Sequence, residues 1–263
     1  MQKTFLSIIT VTYNSEEVIK NYLKEVKKIK EAEVIIVDNN SQDKTKKILE
    51  KEKVKKIFLK RNYGYAKANN IGFKYSQGEV ILLLNPDAFP YSLDLEELKR
   101  LIKVYPIIAP LILRDKNNIE TSVREFPSLL GFIFPFLWKK RINYQKRQFV
   151  SQPMFSAIFI KREVFEKLGG FDERFFIYFT DVEFMERARR KNIKPILVPE
   201  IIFFHNPGKS CKRNKKIMAL RYLDWARGAS KYFYFYKNPI EKFLTIPLIW
   251  LFSIFRYFYI LFI

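Results

Sequence analysis

Apolar runs alternate with amphipathic stretches over the first 110 residues of the chain. The continuous runs predict buried strands: FLSIITVTYN, AEVIIVDNNS, VKKIFLK, EVILLLNPD and PIIAPLIL. Between them, apolar residues recur at helical spacing, as Val18, Tyr22 and Val26 do. The predicted helices are SEEVIKNYLKEVKKI, QDKTKKILEKE (with Ser41 or Asp43 as N-cap), GYAKANNIGFKYSQG and SLDLEELKRLIKVY. This alternation predicts an α/β fold, with a mostly parallel sheet covered by helices on both faces.

Polar residues follow three of the predicted strands at the point where each strand ends. They are Thr12, Tyr13 and Asn14; Asp38, Asn39, Asn40 and Ser41; and Asn85, Pro86 and Asp87. Because parallel strands end at one edge of the sheet, and ligands of open α/β sheets bind beyond that edge, we expect a shared crevice. Asp38 and Asp87 should both face it.

Residues 169–190, GGFDERFFIYFTDVEFMERARR, combine many aromatic rings with several carboxylates. Apolar rings favour burial, whereas carboxylates resist leaving water. One interpretation is a helix whose acids face solvent, with Thr180 and Glu183 as a capping box and Asp181 in the first turn. The other is an aromatic-walled cleft in which an acid performs chemistry. The two interpretations are compatible, because a helix N-terminus favours an ionised carboxylate.

The last 21 residues, 243–263, carry a single charge, Arg256. Arg256 and Pro247 disfavour a clean membrane span, so we expect a segment that lies in or partly enters one leaflet. The alternative is a helix that docks on the protein's own core. Basic residues upstream would face anionic headgroups: Lys209, Lys212, Arg213, Lys215, Lys216, Arg221, Arg227, Lys231, Lys237 and Lys242. Residues 129–141 are a second candidate for interfacial insertion, with a buried loop as the alternative.

The formal net charge of +21, from 48 Lys and Arg against 27 Asp and Glu, indicates an anionic partner. The basic residues are spread along the chain without a nucleic-acid motif, so we expect no nucleic-acid partner. Neither a P-loop motif nor a G-x-G-x-x-G motif is present, which disfavours P-loop NTPases and dinucleotide oxidoreductases. A nucleotide sugar held through a divalent metal ion needs no glycine loop.

Six segments, in order, resemble the family 2 glycosyltransferases of the GT-A fold, and specifically their rhamnosyltransferase-like branch. They are SIITVTYNSEEVI, EVIIVDNNSQDKT, RNYGYAKANNIG, VILLLNPDA, GGFDERFFIYFTDVEFMERARRKNIKPILVPE and FHNPGKS. The resemblance covers roughly residues 5–210 and implies a transferase domain over 1–210. Its nucleotide-binding half is about 1–112 and its acceptor half about 113–210. Residues 211–263 are then a basic, aromatic-rich, membrane-associating segment.

The resemblance also implies roles for individual residues. Asp181 is the catalytic base, although Thr180 replaces the glutamate usual before it. Asp87 holds a Mg²⁺ or Mn²⁺ ion, and His205 contacts the metal or the diphosphate. Asn85 stands where many relatives have the first acid of D-x-D. Asp172 and Glu183 bind acceptor hydroxyls, or only cap and pair. The nucleotide-binding residues are Thr12, Tyr13, Asn14, Asp38, Arg61, Asn62, Gly64, Asn70 and Asn85.

The implied reaction is inverting sugar transfer from a nucleoside-diphosphate sugar, with dTDP-rhamnose as a candidate donor. The expected acceptor is a hydroxyl of a glycan or lipid-linked sugar in cell-surface polysaccharide synthesis. The expected location is the cytoplasmic face of the cell membrane, where an anionic surface is a further partner. The alternative function is a non-catalytic membrane-surface module on a decayed transferase fold, which Thr180 and Asn85 keep open.

Overall fold

The computed structural model describes residues 4–134, 142–206 and 215–262. The strands are β1 (Leu6–Thr12), β2 (Ala32–Asp38), β3 (Lys55–Phe58), β4 (Val80–Leu84), β5 (Ala88–Ser92), β6 (Ile107–Asp115), β7 (Asn118–Ile119), β8 (Val123–Arg124), β9 (Gln148–Phe149), β10 (Gln152–Pro153), β11 (Ala157–Lys161) and β12 (Ile196–His205). The helices are α1 (Ile19–Val26), α2 (Thr45–Glu50), α3 (Gly64–Lys74), α4 (Leu95–Val104), α5 (Leu129–Ile133), α6 (Arg162–Lys167), α7 (Thr180–Arg190), α8 (Lys215–Tyr236) and α9 (Pro239–Phe262).

The central sheet has the strand order β3-β2-β1-β4-β11-β6-β12-β5. Strands β1 to β4 pair in parallel, as the sequence predicts. β11 lies antiparallel between β4 and β6, and β5 lies antiparallel to β12 at the far edge. The mostly parallel α/β prediction is confirmed, while β5 and β11 enter the sheet without having been predicted.

Side chains alternate across the parallel strands and bury both faces of the sheet. Ile8 and Leu82 point to the face covered by α1 and α4. Ile9 and Leu83, one position along, point to the face covered by α3 and α7. This period of two along a continuously apolar strand is what burial on both faces requires.

The carboxy-terminal helices α8 and α9 pack against each other and against the segment that precedes α7. A third apolar cluster joins Phe175, Phe179 and Val182 to residues of both helices, among them Tyr232 and Ile249. Gly228 of α8 lies so close to the Tyr178 carbonyl that an added Cβ would come within 2.5 Å of its oxygen. The helix pair therefore packs against residues 175–179, which lead into α7 and Asp181.

Most of α9 is nonetheless exposed. Leu251 and Phe255 are 69% and 65% exposed. By length and composition, α9 is the one helix in the described residues that could cross a membrane. A buried stripe of α9 packs on α8, as the docking alternative requires, while its remaining apolar surface is exposed in the described structure and contact with a membrane stays a prediction.

Local details differ from the sequence predictions at three places. Thr180 is the first residue of α7, and its hydroxyl donates to the Ile177 carbonyl at 2.9 Å, so the predicted capping box is wrong. Lys44 takes the N-cap position of α2, although Asp43 accepts from the Thr45 amide at 2.9 Å. α3 ends at Lys74, before the predicted stop at residue 78. Residues 129–141 are the second candidate for interfacial insertion. Of these, Leu129–Ile133 form the short helix α5, and residues 135–141 lie outside the described residues.

Candidate active site

The strand ends form a network of polar side chains around Asp38. One oxygen of this buried carboxylate accepts from the Thr12 hydroxyl at 3.0 Å and from the Ser41 hydroxyl at 2.5 Å. The other accepts from the Ser41 amide at 3.0 Å. The expected meeting of the first two strand ends is therefore present, since Thr12 and Asp38 are register partners in β1 and β2.

Asn39 connects this network to the start of α3. Its amide nitrogen donates to Asn62 Oδ1 at 2.8 Å and to the Gly64 carbonyl at 3.1 Å. Its oxygen accepts from the Tyr63 amide at 2.8 Å. Gly64 has a φ of +82°, and a Cβ there would collide with Phe176, so only glycine fits. Asn62 and Gly64 are thus held at the same edge as Asp38.

The remaining predicted nucleotide-binding residues divide into an exposed group and a group whose side chains hydrogen-bond within the protein. Tyr13 is 38% exposed beside the strand ends, and the guanidinium of Arg61 lies 4.7 Å from the centroid of the Tyr63 ring. The side chains of Asn14 and Asn70 form hydrogen bonds within the protein. Asn14 adopts a φ of 52° and accepts from the Gln42 amide.

Asn70 brackets the backbone of Phe171. Its amide donates to the Phe171 carbonyl and its oxygen accepts from the Phe171 amide, both at 2.8 Å. A direct nucleotide contact by Asn70 stays a prediction, and its bonds favour a positioning role.

Asp87 and His205 meet at the end of the sheet where β5 pairs with β12. His205 lies opposite Ala88 in the antiparallel register, which places it beside Asp87. His205 Nε2 is 3.4 Å from Asp87 Oδ1, and His205 Nδ1 is 2.7 Å from Glu120 Oε2. All three side chains are buried. Burial acts to lower the pKa of His205, but the neighbouring Asp87 and Glu120 carboxylates raise it to about 9.

This arrangement fits a divalent cation held by few protein ligands. Asp87 Oδ1 is buried and has no hydrogen-bond partner of good geometry, although it faces His205 Nε2. Glu120 contacts the opposite nitrogen of the ring, which is how a carboxylate orients a metal-binding histidine. Within 4–134, 142–206 and 215–262, no three His, Cys, Asp or Glu side chains form a complete ligand set. Diphosphate oxygens and water would have to complete the coordination of such an ion.

Asp181 stands in the first turn of α7, as predicted from the sequence. Its Oδ1 accepts from the Val182 amide at 2.9 Å, and its Oδ2 accepts from the Gln152 amide nitrogen at 3.2 Å. Burial raises the pKa of Asp181, while the Val182 amide, the charge of Arg124 and the Gln152 amide act to lower it. A carboxylate of raised pKa is a better proton acceptor than an exposed aspartate once it is ionised.

Residues 152–156 link Asp181 to the Asp87 loop. Gln152 at one end of this segment bonds to Asp181. Ser156 at the other end accepts from the Asn85 amide at 2.9 Å through its carbonyl. On the other side, the Tyr65 amide of α3 donates to the Phe176 carbonyl at 2.6 Å, five residues before Asp181. The structure therefore brings Asp87, Asp181 and the start of α3 around one edge of the sheet.

Asp172 and Glu183 are engaged in ion pairs. Both Asp172 oxygens accept from Arg174, and burial of Asp172 is outweighed by these bonds, so its pKa is lowered. The Glu183 side chain is only 1% exposed and accepts from Arg187 at 2.6 Å and from the Tyr236 hydroxyl at 2.6 Å. Acceptor binding by these residues stays a prediction, and the contacts favour the alternative of capping and pairing.

Three residues of this site were not anticipated from the sequence. Glu120, Arg124 and Gln152 come from short strands or their flanks in the stretch between β6 and β11. Glu120 reaches His205 because its backbone amide donates to the Ile112 carbonyl at 2.9 Å, which folds β7 back on β6. Neither periodicity nor a motif marks these positions. The loop residues 207–210 of the HNPGKS segment lie outside the described residues.

Comparison with known proteins gives one consistent family. Residues 7–169 match the family model described as Glycosyl transferase family 2. The hexosyltransferase Agl10 of low-salt glycan biosynthesis in Haloferax volcanii is 36% identical over 200 residues, which is 72% of this chain and 62% of that relative. The dTDP-rhamnosyl transferase RfbF of Shigella flexneri is 30% identical over 221 residues, 78% of this chain and 70% of the relative.

A more distant relative and a solved structure agree with these two. The N-acetylglucosaminyl-diphospho-decaprenol L-rhamnosyltransferase of Mycobacterium tuberculosis is 24% identical over 242 residues, 80% of this chain and 78% of the relative. The mannosyltransferase PcManGT of Pyrobaculum calidifontis, solved with GDP-Man and Mn²⁺, superposes with a TM-score of 0.58 at 16% identity, covering 95% of this chain and 73% of that one. The structural likeness supports the GT-A fold. By its family model and its sequence relatives, the chain belongs to glycosyl transferase family 2.

Proposed function

We propose that this chain transfers a sugar from a nucleoside-diphosphate sugar to a hydroxyl of a glycan or lipid-linked acceptor, with inversion at the anomeric carbon. The observation that carries the proposal is the convergence of the Asp87–His205 pair and Asp181 around residues 152–156. A displacement needs one group at the leaving diphosphate and another at the attacking hydroxyl. Two separated acids at one sheet edge supply that arrangement.

The nucleotide part of the donor is assigned to the strand ends of residues 1–112. Thr12 and Asp38 are already positioned there by a bond to each other, and Asn62 by its bond to Asn39, so little ordering is needed when the donor binds. Tyr13 and Arg61 are the more exposed members and can contact the nucleoside directly. The residues of 113–210 contribute Asp181, Gln152 and His205, and are assigned to catalysis and to the acceptor.

The diphosphate is assigned to the Asp87–His205 pair. A Mg²⁺ or Mn²⁺ ion held there would act as a Lewis acid on the leaving diphosphate. Glu120 fixes the ring of His205, and the buried Asp87 oxygen is left available for a cation. The Asn85 amide, bonded to Ser156, holds the loop that carries Asp87.

Asp181 is assigned as the base that accepts the proton of the attacking hydroxyl. Its bonds to the Val182 amide and Gln152 hold the carboxylate in one orientation. Thr180, which replaces the usual glutamate, points its hydroxyl into the protein toward Ile177. One carboxylate at this helix start is therefore expected to suffice for proton transfer.

The substrate class is inferred from the names of the relatives and from the carboxy-terminal helices. A dTDP-rhamnosyl transferase and a rhamnosyltransferase named for a diphospho-decaprenol compound are among the relatives, so dTDP-rhamnose is the first donor to test. The alignment covers 62% of Agl10, so activity is argued from the site. We place the chain at the cytoplasmic membrane face in cell-surface polysaccharide synthesis, with the exposed side of α9 in an anionic leaflet.

A donor screen tests this function directly. Release of nucleoside diphosphate would be measured for the full chain with a panel of nucleotide sugars, with Mn²⁺ or with a chelator. Asp181→Asn is expected to lower turnover by roughly 10²–10⁴-fold while donor affinity is kept, because a general base acts in the transition state. Glu173→Gln is the matched control, since Glu173 lies in the same segment and pairs on the surface with Lys67.

Full turnover in Asp181→Asn would remove Asp181 from the reaction. If the wild-type chain binds anionic vesicles but neither binds nor turns over any nucleotide sugar, the alternative of a non-catalytic membrane module on a transferase fold would be correct.

A further inference from the structure

A cavity between α8 and α9 lies behind the segment that leads to Asp181. Its volume is about 420 Å³, within the range of small-molecule sites. One wall is Tyr178, three residues before Asp181, so their Cα atoms are within about 11 Å of each other. The lining residues are Tyr178, Met218, Arg221, Tyr222, Trp225 and Phe252.

The chemistry of this cavity is apolar with one cationic side. Arg221 is half-buried and makes no hydrogen bond or ion pair with the residues that the structure describes. None of the six lining side chains is a carboxylate that could neutralise it. A half-buried guanidinium that has no partner in the described part of the chain and lies on an aromatic wall is a site for an anionic group, and phosphate suits its planar donors well.

A second guanidinium reaches the cavity wall from α9. Arg256 donates to the Tyr222 hydroxyl at 3.2 Å, and its Nε is buried without a hydrogen-bond partner. Arg221 lines the cavity together with Tyr222, and Arg256 bonds to the Tyr222 hydroxyl from α9, so both guanidiniums lie at the cavity with donor capacity left over. Two such cations match the charge of a phosphate or diphosphate better than that of a single carboxylate.

The cavity connects the site of transfer to the apolar surface. Trp225 packs on Phe179 with ring centroids 5.7 Å apart, on the side toward Asp181. On the other side, Trp225 and Phe252 are 6.3 Å apart, and Phe252 belongs to the exposed apolar side of α9. A ligand that fits this path has a sugar near Asp181, an anionic link at Arg221 and a hydrocarbon tail along α9.

We propose that the cavity between α8 and α9 binds the phosphate link and the first isoprene units of a polyprenyl-phosphate-linked acceptor. Arg221 is the principal phosphate contact. The proposal rests on the function proposed above and narrows its acceptor from any glycan hydroxyl to a sugar on a lipid phosphate. The test below measures binding of the lipid ligand without the sugar donor. The proposed lipid site can therefore fail while sugar transfer is confirmed, and sugar transfer can fail while the lipid site is confirmed.

The test uses farnesyl diphosphate with the full chain in neutral detergent micelles, with affinity measured by calorimetry. We expect binding that Arg221→Gln weakens by about tenfold or more, because a charge-assisted hydrogen bond to phosphate is lost. Arg227→Gln is the matched control. Arg227 lies on the same helix but lines a different, smaller cavity, and its substitution should change the affinity less than twofold.

A steric variant keeps the test independent of charge. Met218 lines the cavity and is 40% exposed, so Met218→Trp should fill the space without disturbing the core and should weaken binding. Leu220→Trp, at an exposed position that does not line the cavity, should leave binding unchanged. Farnesol and inorganic diphosphate, each lacking one half of the ligand, should bind more weakly than farnesyl diphosphate.

Three results would overturn the proposal. The first is no binding of farnesyl diphosphate by the wild-type chain. The second is equal loss in Arg221→Gln and Arg227→Gln, which would indicate a general effect of surface charge. The third is displacement of farnesyl diphosphate by an equal concentration of phosphatidylglycerol in the same micelles, which would assign the cavity to bulk anionic lipid.

Discussion

The sheet edge that carries Asp38 and Asp87 and the helix pair α8–α9 present opposite kinds of surface. At the sheet edge, polar side chains are largely satisfied by one another, as Thr12, Asp38 and Ser41 show. On α9, many large apolar side chains are exposed, among them Leu251 and Phe255. The first surface is rigid and ready for a small polar ligand. The second exposes apolar side chains that a lipid phase would bury, and the proposed acceptor has both characters.

Removal of the Asp87 carboxylate should have the largest effect. Asp87→Ala is expected to lower nucleoside-diphosphate release by roughly 10²–10³-fold, because the charge developing on the leaving group loses its stabilisation. Calorimetric titration of the same variant with Mn²⁺ in the presence of a nucleoside diphosphate should show the metal response lost. Asp115→Asn, an exposed acid of the β6–β7 hairpin, is the control. An unchanged response to Mn²⁺ would separate Asp87 from metal binding.

Charges placed on the exposed side of α9 test the other half of the comparison. The double change Leu251→Glu and Phe255→Glu should weaken binding to anionic vesicles by roughly a hundredfold, since two apolar side chains lose their burial. Both positions are exposed, so folding should be unaffected. Val104→Glu, at a position 69% exposed on α4, is the control. Sedimentation with vesicles that is equal for all three proteins would refute membrane seating by α9.

The link between the two regions is the buried pair on α7. Arg187→Met leaves the 1%-exposed Glu183 carboxylate without its cation, and a buried pair broken in this way costs about 3–5 kcal/mol of unfolding free energy. Arg189→Met removes an ion pair with Glu186 in which the Arg189 side chain is 59% exposed. It should cost below about 1 kcal/mol of unfolding free energy. Denaturant unfolding of both variants measures the difference. Equal losses would show that Glu183 is not the anchor of α7 on α8.

A smaller effect is expected from the partner of Asp181. Gln152→Leu removes a hydrogen bond that lowers the pKa of Asp181, so that pKa should rise further. Because the base must be ionised, activity is lost as the pH falls through this pKa. The acidic limb of the kcat/KM profile should therefore move to higher pH, with little change on the plateau. A limb that stays in place or moves to lower pH would show that another group controls it.

The parallel half of the fold could be predicted because each strand buries both faces and ends in polar residues. The insertion of β11 between β4 and β6 could not, because AIFIK reads as a buried strand without showing its partner. Contacts between residues far apart in the sequence limit the prediction of the site in the same way. Asp38, Asp87 and Asp181 follow strands or start a helix and could be found, whereas Glu120 and Gln152 act through long-range packing. Glu183 was predicted either to bind an acceptor hydroxyl or to cap and pair, and its contacts with Arg187 and Tyr236 favour pairing.

The convergence of Asp87 and Asp181 on one donor is tested most directly by a crystal structure of the chain with Mn²⁺ and its nucleoside-diphosphate sugar. We predict the ion on Asp87 and His205, the nucleoside beside Asp38, and the anomeric carbon with one face open toward Asp181. An ion bound away from Asp87, or a sugar whose anomeric carbon cannot be approached from the side of Asp181, would contradict this prediction.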